Sequence, residues 1–126
     1  MNIPVLCLLI AGVLPVVSTA VAKWGFRDFD NHNPRAWLAA QTGYRARANA
    51  AQQNAFEAFP FFAVAVLLGL VLQLEPVVLE RYCLVFVVAR ALYLIAYIAD
   101  LATFRTLCWL VGYASCIAIY VQLLIR

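Results

Sequence analysis

Two charged residues stand inside strongly apolar stretches of this chain: Glu57, among alanines and phenylalanines, and Arg90, among Val, Ala and Leu. A charge placed within a membrane span costs about 2.5 to 3.5 kcal/mol on insertion scales, so such residues face a bundle interior or a wet cavity and mark candidate function. Their polar neighbours fall on the same faces. At about 100° per residue, Arg47, Asn54 and Glu57 occupy an arc of about 80° on one helix, and Arg90, Tyr93, Tyr97 and Asp100 a similar arc on another. Glu57 and Arg90 lie at comparable depth, so they can pair. One ion pair would explain two charges only. Arg47, Asn54, Tyr93, Tyr97 and Arg105 offer more donors than a single carboxylate accepts, which points to a polar, anionic ligand.

The elements that must position these groups follow from composition. Of the 126 residues, 67% are hydrophobic and 12% charged, and the mean hydropathy is +0.91; a soluble domain is about half apolar and about a quarter charged. A soluble globular protein and a disordered chain are both excluded. The net charge of +3 is too small for a nucleic-acid surface. At about 20 apolar residues per span, the chain reads as a single membrane domain of all-α class, a four-helix bundle with spans at about residues 3–23, 44–73, 77–99 and 105–125.

The first run carries no charge and ends at Lys23-Trp24, a basic and aromatic pair suited to an interface. Ala20-Val21-Ala22 imitates a signal-peptide cleavage site, but no basic segment precedes the run and its length exceeds a usual signal core. Residues 26–53 form the one long polar stretch, with a turn over residues 30–34 that leads into an Ala-rich helical segment. Basic residues Lys23, Arg27, Arg35, Arg45, Arg47 and Arg105 gather on the two connections at one side, against Arg81 and Arg126 on the other. By the positive-inside tendency the loops between spans one and two and between spans three and four are cytoplasmic, in the inner or plasma membrane, with both termini outside.

The remaining reactive residues read as structural. Cys7, Cys83, Cys108 and Cys116 all lie in or beside apolar runs with no metal-ligand spacing, so they are expected to be buried thiols, and no metal site is indicated. His32 is a solvated turn residue. Trp24, Trp37 and Trp109 fit an aromatic belt. Gly112 and Cys116, four apart, allow another helix to approach closely.

The pattern Asn54-Ala-Phe-Glu57-Ala-Phe-Pro60, preceded by Arg45-Ala-Arg47, together with Arg90-Ala-Leu-Tyr93-Leu-Ile-Ala-Tyr97 and then Arg105, resembles the MAPEG family, the membrane-associated proteins in eicosanoid and glutathione metabolism, in a bacterial-type form. The likeness spans nearly the whole chain in helix number, loop length and polar positions. It implies a four-helix protomer, a homotrimer, and glutathione bound as co-substrate between protomers on the cytoplasmic side. It further implies that Asn54 and Glu57 contact glutathione, with Glu57 facing its amino group or bridging to Arg90. Arg47, Arg90, Tyr93 and Tyr97 are similar to carboxylate and backbone contacts, and Arg105 is similar in placement to the arginine that stabilises the thiolate. Lys23 or Arg27 stands where the family reaches across from an adjacent protomer. Ala50 departs from the pattern, occupying a position where glutathione-using members often carry arginine.

The implied activity is a glutathione-dependent transferase or peroxidase acting on hydrophobic electrophiles or lipid hydroperoxides that enter from the bilayer. A free thiol titrates at about 8.5, so a guanidinium that favours the anion raises the fraction of nucleophile at neutral pH. Two other readings compete: a non-catalytic membrane protein of the same fold, and a small multidrug transporter. A transporter of this size is expected to carry its carboxylate on the first helix, and the first helix here has none.

Overall fold

The computed structural model describes residues 1–25 and 27–125. Five helices follow one another: α1 (Ile3–Lys23), α2 (Pro34–Ala39), α3 (Gly43–Val71), α4 (Pro76–Ile98) and α5 (Ala102–Leu124). There is no strand among the described residues. All but α2 are long and apolar enough to cross a membrane. The fold is an all-α four-helix bundle, and the chain is an integral, multi-pass membrane protein.

Helix lengths set what protrudes. At about 1.5 Å per residue, α1, α4 and α5 measure about 31 to 35 Å, close to the roughly 30 Å of a bilayer core. The 29 residues of α3 make about 43 Å. Its surplus is the polar first turns, which carry Arg45 and Arg47 and extend past the ends of α1 and α4. The short α2 lies in the preceding connection, where Asp30 organises the turn by accepting from the backbone of His32 at 2.9 Å and of Asn33 at 3.3 Å.

The helices pack chiefly as two pairs, α1 on α3 and α4 on α5, joined through contacts that α4 makes with α1 and α3. Small residues make the first pairing close. The buried stripe of α1 is Pro4, Cys7, Ala11, Pro15, Ser18 and Ala22, which faces Ala48, Ala51, Ala55 and Ala65 among the buried residues of α3. Pro15 removes a backbone donor inside α1, and the hydroxyls of Ser18 and Thr19 take the nearby carbonyls of Leu14 and Pro15, both at 3.1 Å. In the core, Phe62 of α3 stacks on Phe86 of α4 with centroids 3.8 Å apart. Gly69 admits Leu79 so closely that a Cβ there would sit 2.8 Å from its Cδ1.

Two helices end alike. At the end of α4, Leu101 donates to Ala96 at 2.8 Å and Asp100 to Tyr97 at 3.2 Å, with Asp100 left-handed at φ 61°. At the end of α3, Leu74 and Gln73 make the same bonds to Gly69 and Leu70. These are Schellman closures, and they keep both turns tight. Outward faces carry Leu9, Val16, Val88, Ile95 and Leu110, all exposed, as a lipid-facing surface requires.

Candidate functional site

The site is built from the polar face of α3 and the facing sides of α4 and α5. Two arginines, two residues apart and so about 200° apart on the helix, tie the overhang of α3 to two different helix ends. Arg45 donates through Nη1 to the Ala22 carbonyl at 2.8 Å and through Nη2 to that of Trp24 at 2.9 Å. Arg47 donates through Nε to the Ile98 carbonyl at 3.0 Å. Each satisfies carbonyls left over at a helix C-terminus and places a cation at the negative end of its dipole. Arg47 therefore sits beside the last turn of α4 and outside the cleft that holds Asn54, Glu57 and Arg90.

Arg90 is the one buried charged residue among the described residues, 4% exposed. Gly112 of α5 lies against its stem: a Cβ at that glycine would stand 3.6 Å from Arg90 Cδ, an ordinary contact distance. The direct ion pair expected with Glu57 gives way to an amide bridge. Arg90 Nη2 donates to Asn54 Oδ1 at 2.8 Å, and Asn54 Nδ2 donates to Glu57 Oε2 at 3.5 Å. Asn54 lies three residues before Glu57, about 4.5 Å along the axis, and meets the guanidinium first. Glu57 is consequently free to be exposed.

From Arg90 a ladder of rings runs toward α5. The guanidinium of Arg90 lies 4.2 Å from the Tyr93 ring centroid, Tyr93 meets Tyr97 edge-on at 5.6 Å, and the guanidinium of Arg105 lies 4.3 Å from the Tyr97 centroid. Two cations are thus held at the ends of one aromatic pair. Asn54, Glu57, Arg90, Tyr93, Tyr97 and Arg105 form one connected set, and Arg47 is attached to it only through the backbone next to Tyr97. Lys23 lies over the Phe29 ring at 4.3 Å, and Ala50, half-buried, is one turn before Asn54.

A cleft of about 210 Å³ opens over Arg90. Asn54, Glu57 and Arg90 line it with polar groups, and Phe61, Phe86, Trp109 and Tyr113 line it with rings; Cys116 also borders it. Residues 3–125 match the model of the MAPEG family. The chain belongs to the MAPEG family. Comparison with curated proteins and with solved structures gave no match. MAPEG membership fits a membrane protein of glutathione-related transferase or peroxidase chemistry, and a cleft that joins a buried cation to an aromatic wall is compatible with both a polar and an apolar reactant.

Three residues of the cleft in this MAPEG chain escaped the reading of polar stripes. Phe61, Trp109 and Tyr113 look like lipid-facing or interface aromatics in the sequence. A signal for two of them was present: Arg105, Trp109 and Tyr113 recur every four residues and share an arc of about 80° on α5. The four cysteines are free and buried, and no cluster of His, Cys, Asp or Glu suited to a metal ion occurs among the described residues.

Proposed function

We propose that this protein is a membrane-bound, glutathione-dependent transferase or peroxidase acting on hydrophobic electrophiles or lipid hydroperoxides. The observation that carries the reading is Arg90: a guanidinium 4% exposed, bonded to a neutral amide and bordering a cleft. A buried cation without a carboxylate on it is costly. An anionic ligand in the cleft would supply the missing charge, and glutathione has two carboxylates to offer.

In this reading Arg90 and Asn54 hold a glutathione carboxylate and backbone, Tyr93 and Tyr97 complete those contacts from α4, Arg47 supports them from outside the cleft through its bond to the Ile98 carbonyl next to Tyr97, and Glu57 faces the amino group. Arg105, stacked on Tyr97, favours the thiolate at the entrance of α5. The hydrophobic second substrate reaches the sulfur from the bilayer along the aromatic side of the cleft. The active assembly is a homotrimer associating through α3, whose polar stripe is costly against lipid, with the site on the cytoplasmic side.

One feature favours a second reading, a non-catalytic member of the same family: Ala50 presents a methyl group one turn before Asn54, where an arginine would add a further carboxylate contact. Isothermal titration of detergent-purified protein with glutathione, paired with ultraviolet difference absorbance for the thiolate, separates the two. Saturable binding with thiolate formation near neutral pH supports the enzyme. Binding without thiolate, or no binding, supports the non-catalytic member.

A further inference from the structure

The aromatic side of the cleft is more specific than an apolar wall needs to be. Trp109 and Tyr113 of α5 stack with centroids 5.1 Å apart and planes inclined by 7°. Tyr113 stacks in turn on Phe61 of α3 at 5.4 Å and 27°. All three border the same cleft as Arg90 and Asn54, so a stack of near-parallel rings, with Trp109 at its end, lines the cleft together with the polar groups. Trp109 and Tyr113 are 37% and 45% exposed; their rings are fixed against each other, yet they retain surface for a ligand.

We propose that Trp109 and Tyr113 are specificity-determining residues, and that the second substrate they select is a planar conjugated electrophile, an enone conjugated to an aromatic ring. This rests on the glutathione-conjugating reading above. Trp109 lies one turn beyond Arg105, about 6 Å along the axis, so the ring wall begins where the thiolate would be held. A flat π-system gains offset-stacking energy on such a wall beyond what its buried area supplies, and a saturated chain gains only the area.

The step balances without any oxidant or leaving group. The glutathione sulfur forms a bond to the enone β-carbon, the carbon–carbon π pair moves toward the carbonyl oxygen to give an enolate, and the proton lost by the thiol returns through solvent to the α-carbon.

The test compares 4-phenylbut-3-en-2-one with non-3-en-2-one, which present the same enone on a flat ring and on a saturated chain. Thioether formation is measured on the full-length protein in detergent, with Trp109→Leu, Trp109→Phe and Tyr113→Leu. The wild type should favour the aryl enone in kcat/KM. Trp109→Leu and Tyr113→Leu should each lower the aryl-to-alkyl ratio by about five- to tenfold, and Trp109→Phe, which keeps a flat ring, should lower it by about twofold or less. A ratio unchanged in the leucine variants, with both enones conjugated, overturns this assignment and leaves the glutathione-dependent function standing. Failure of the wild type to conjugate either enone while glutathione still binds saturably and ionises also overturns it. Absence of glutathione binding overturns both.

Discussion

Arg90 and Glu57 meet only through Asn54, which accepts from the guanidinium at 2.8 Å and donates to the carboxylate at 3.5 Å. The amide is oriented by what lies on either side of it. Its oxygen is held by the cation and its nitrogen turns to the anion, so Asn54 fixes the separation of the two charges. Energetic coupling should follow the same order. Asn54→Ala strands a buried guanidinium and should cost about 1 to 3 kcal/mol. A double-mutant cycle in detergent between Arg90→Met and Asn54→Ala should give a coupling of at least about 1 kcal/mol, and the cycle between Arg90→Met and Glu57→Gln a smaller one. Equal couplings would place Glu57 in direct contact with Arg90.

Arg105 should control ionisation of the co-substrate more than its binding. In Arg105→Ala, the thiolate absorbance of bound glutathione near neutral pH should vanish, with weakened but measurable binding. The sign with pH follows: a cation lowers the thiol pKa, so activity of the wild type levels off at lower pH, and activity of the variant climbs through about pH 8.5 and above, where a free thiol ionises without help. A pH–rate profile of Arg105→Ala parallel to that of the wild type would contradict the role.

The two arginines at the start of α3 should separate by their consequences. Arg45 closes the end of α1 and not that of α4, which carries Tyr93 and Tyr97, so Arg45→Ala should lower thermal stability by about 1.5 to 3 kcal/mol with little change in the glutathione concentration at half-saturation. Arg47→Ala frees the Ile98 carbonyl next to Tyr97, and should both destabilise and raise that concentration, with less effect on turnover at saturation. An unchanged half-saturation in Arg47→Ala would leave Arg47 as a helix clamp alone.

Asp100 holds a left-handed conformation at φ 61° and places a carboxylate at the negative end of the α4 dipole. Glycine removes both penalties, so Asp100→Gly should raise stability by about 1 kcal/mol, read as a higher unfolding midpoint in the same detergent. A lower midpoint would show that the carboxylate makes a favourable contact in the assembled protein.

The spans were legible because length and apolarity decide them with little competition, and Glu57 and Arg90 stood out because a charge in such a run is expensive. Helical arcs also placed Asn54, Tyr93 and Tyr97 on facing stripes. The same arcs gave no means of telling whether Arg90 reaches residue 54 or residue 57, since both share the face and differ by less than one turn of depth. Arg47 looks like a ligand donor in sequence because its partner, the backbone carbonyl of residue 98, is invisible without the fold, as are the carbonyls of residues 22 and 24 that Arg45 takes. Trp109 illustrates a different limit: an amphipathic ring near a helix end satisfies an interface as well as a cleft, and only the stacking with Tyr113 separates the two.

In the function proposed above, Arg90 is a cation held ready for an anionic ligand. Calorimetric titration of glutathione into wild type and Arg90→Met, in the same detergent and with folding checked by thermal unfolding, tests it most directly. Methionine fills much of the same space without the charge. Wild type should bind saturably and Arg90→Met at least about tenfold more weakly, equivalent to about 1.4 kcal/mol. Equal affinity in the two proteins, or no binding by the wild type, would contradict it.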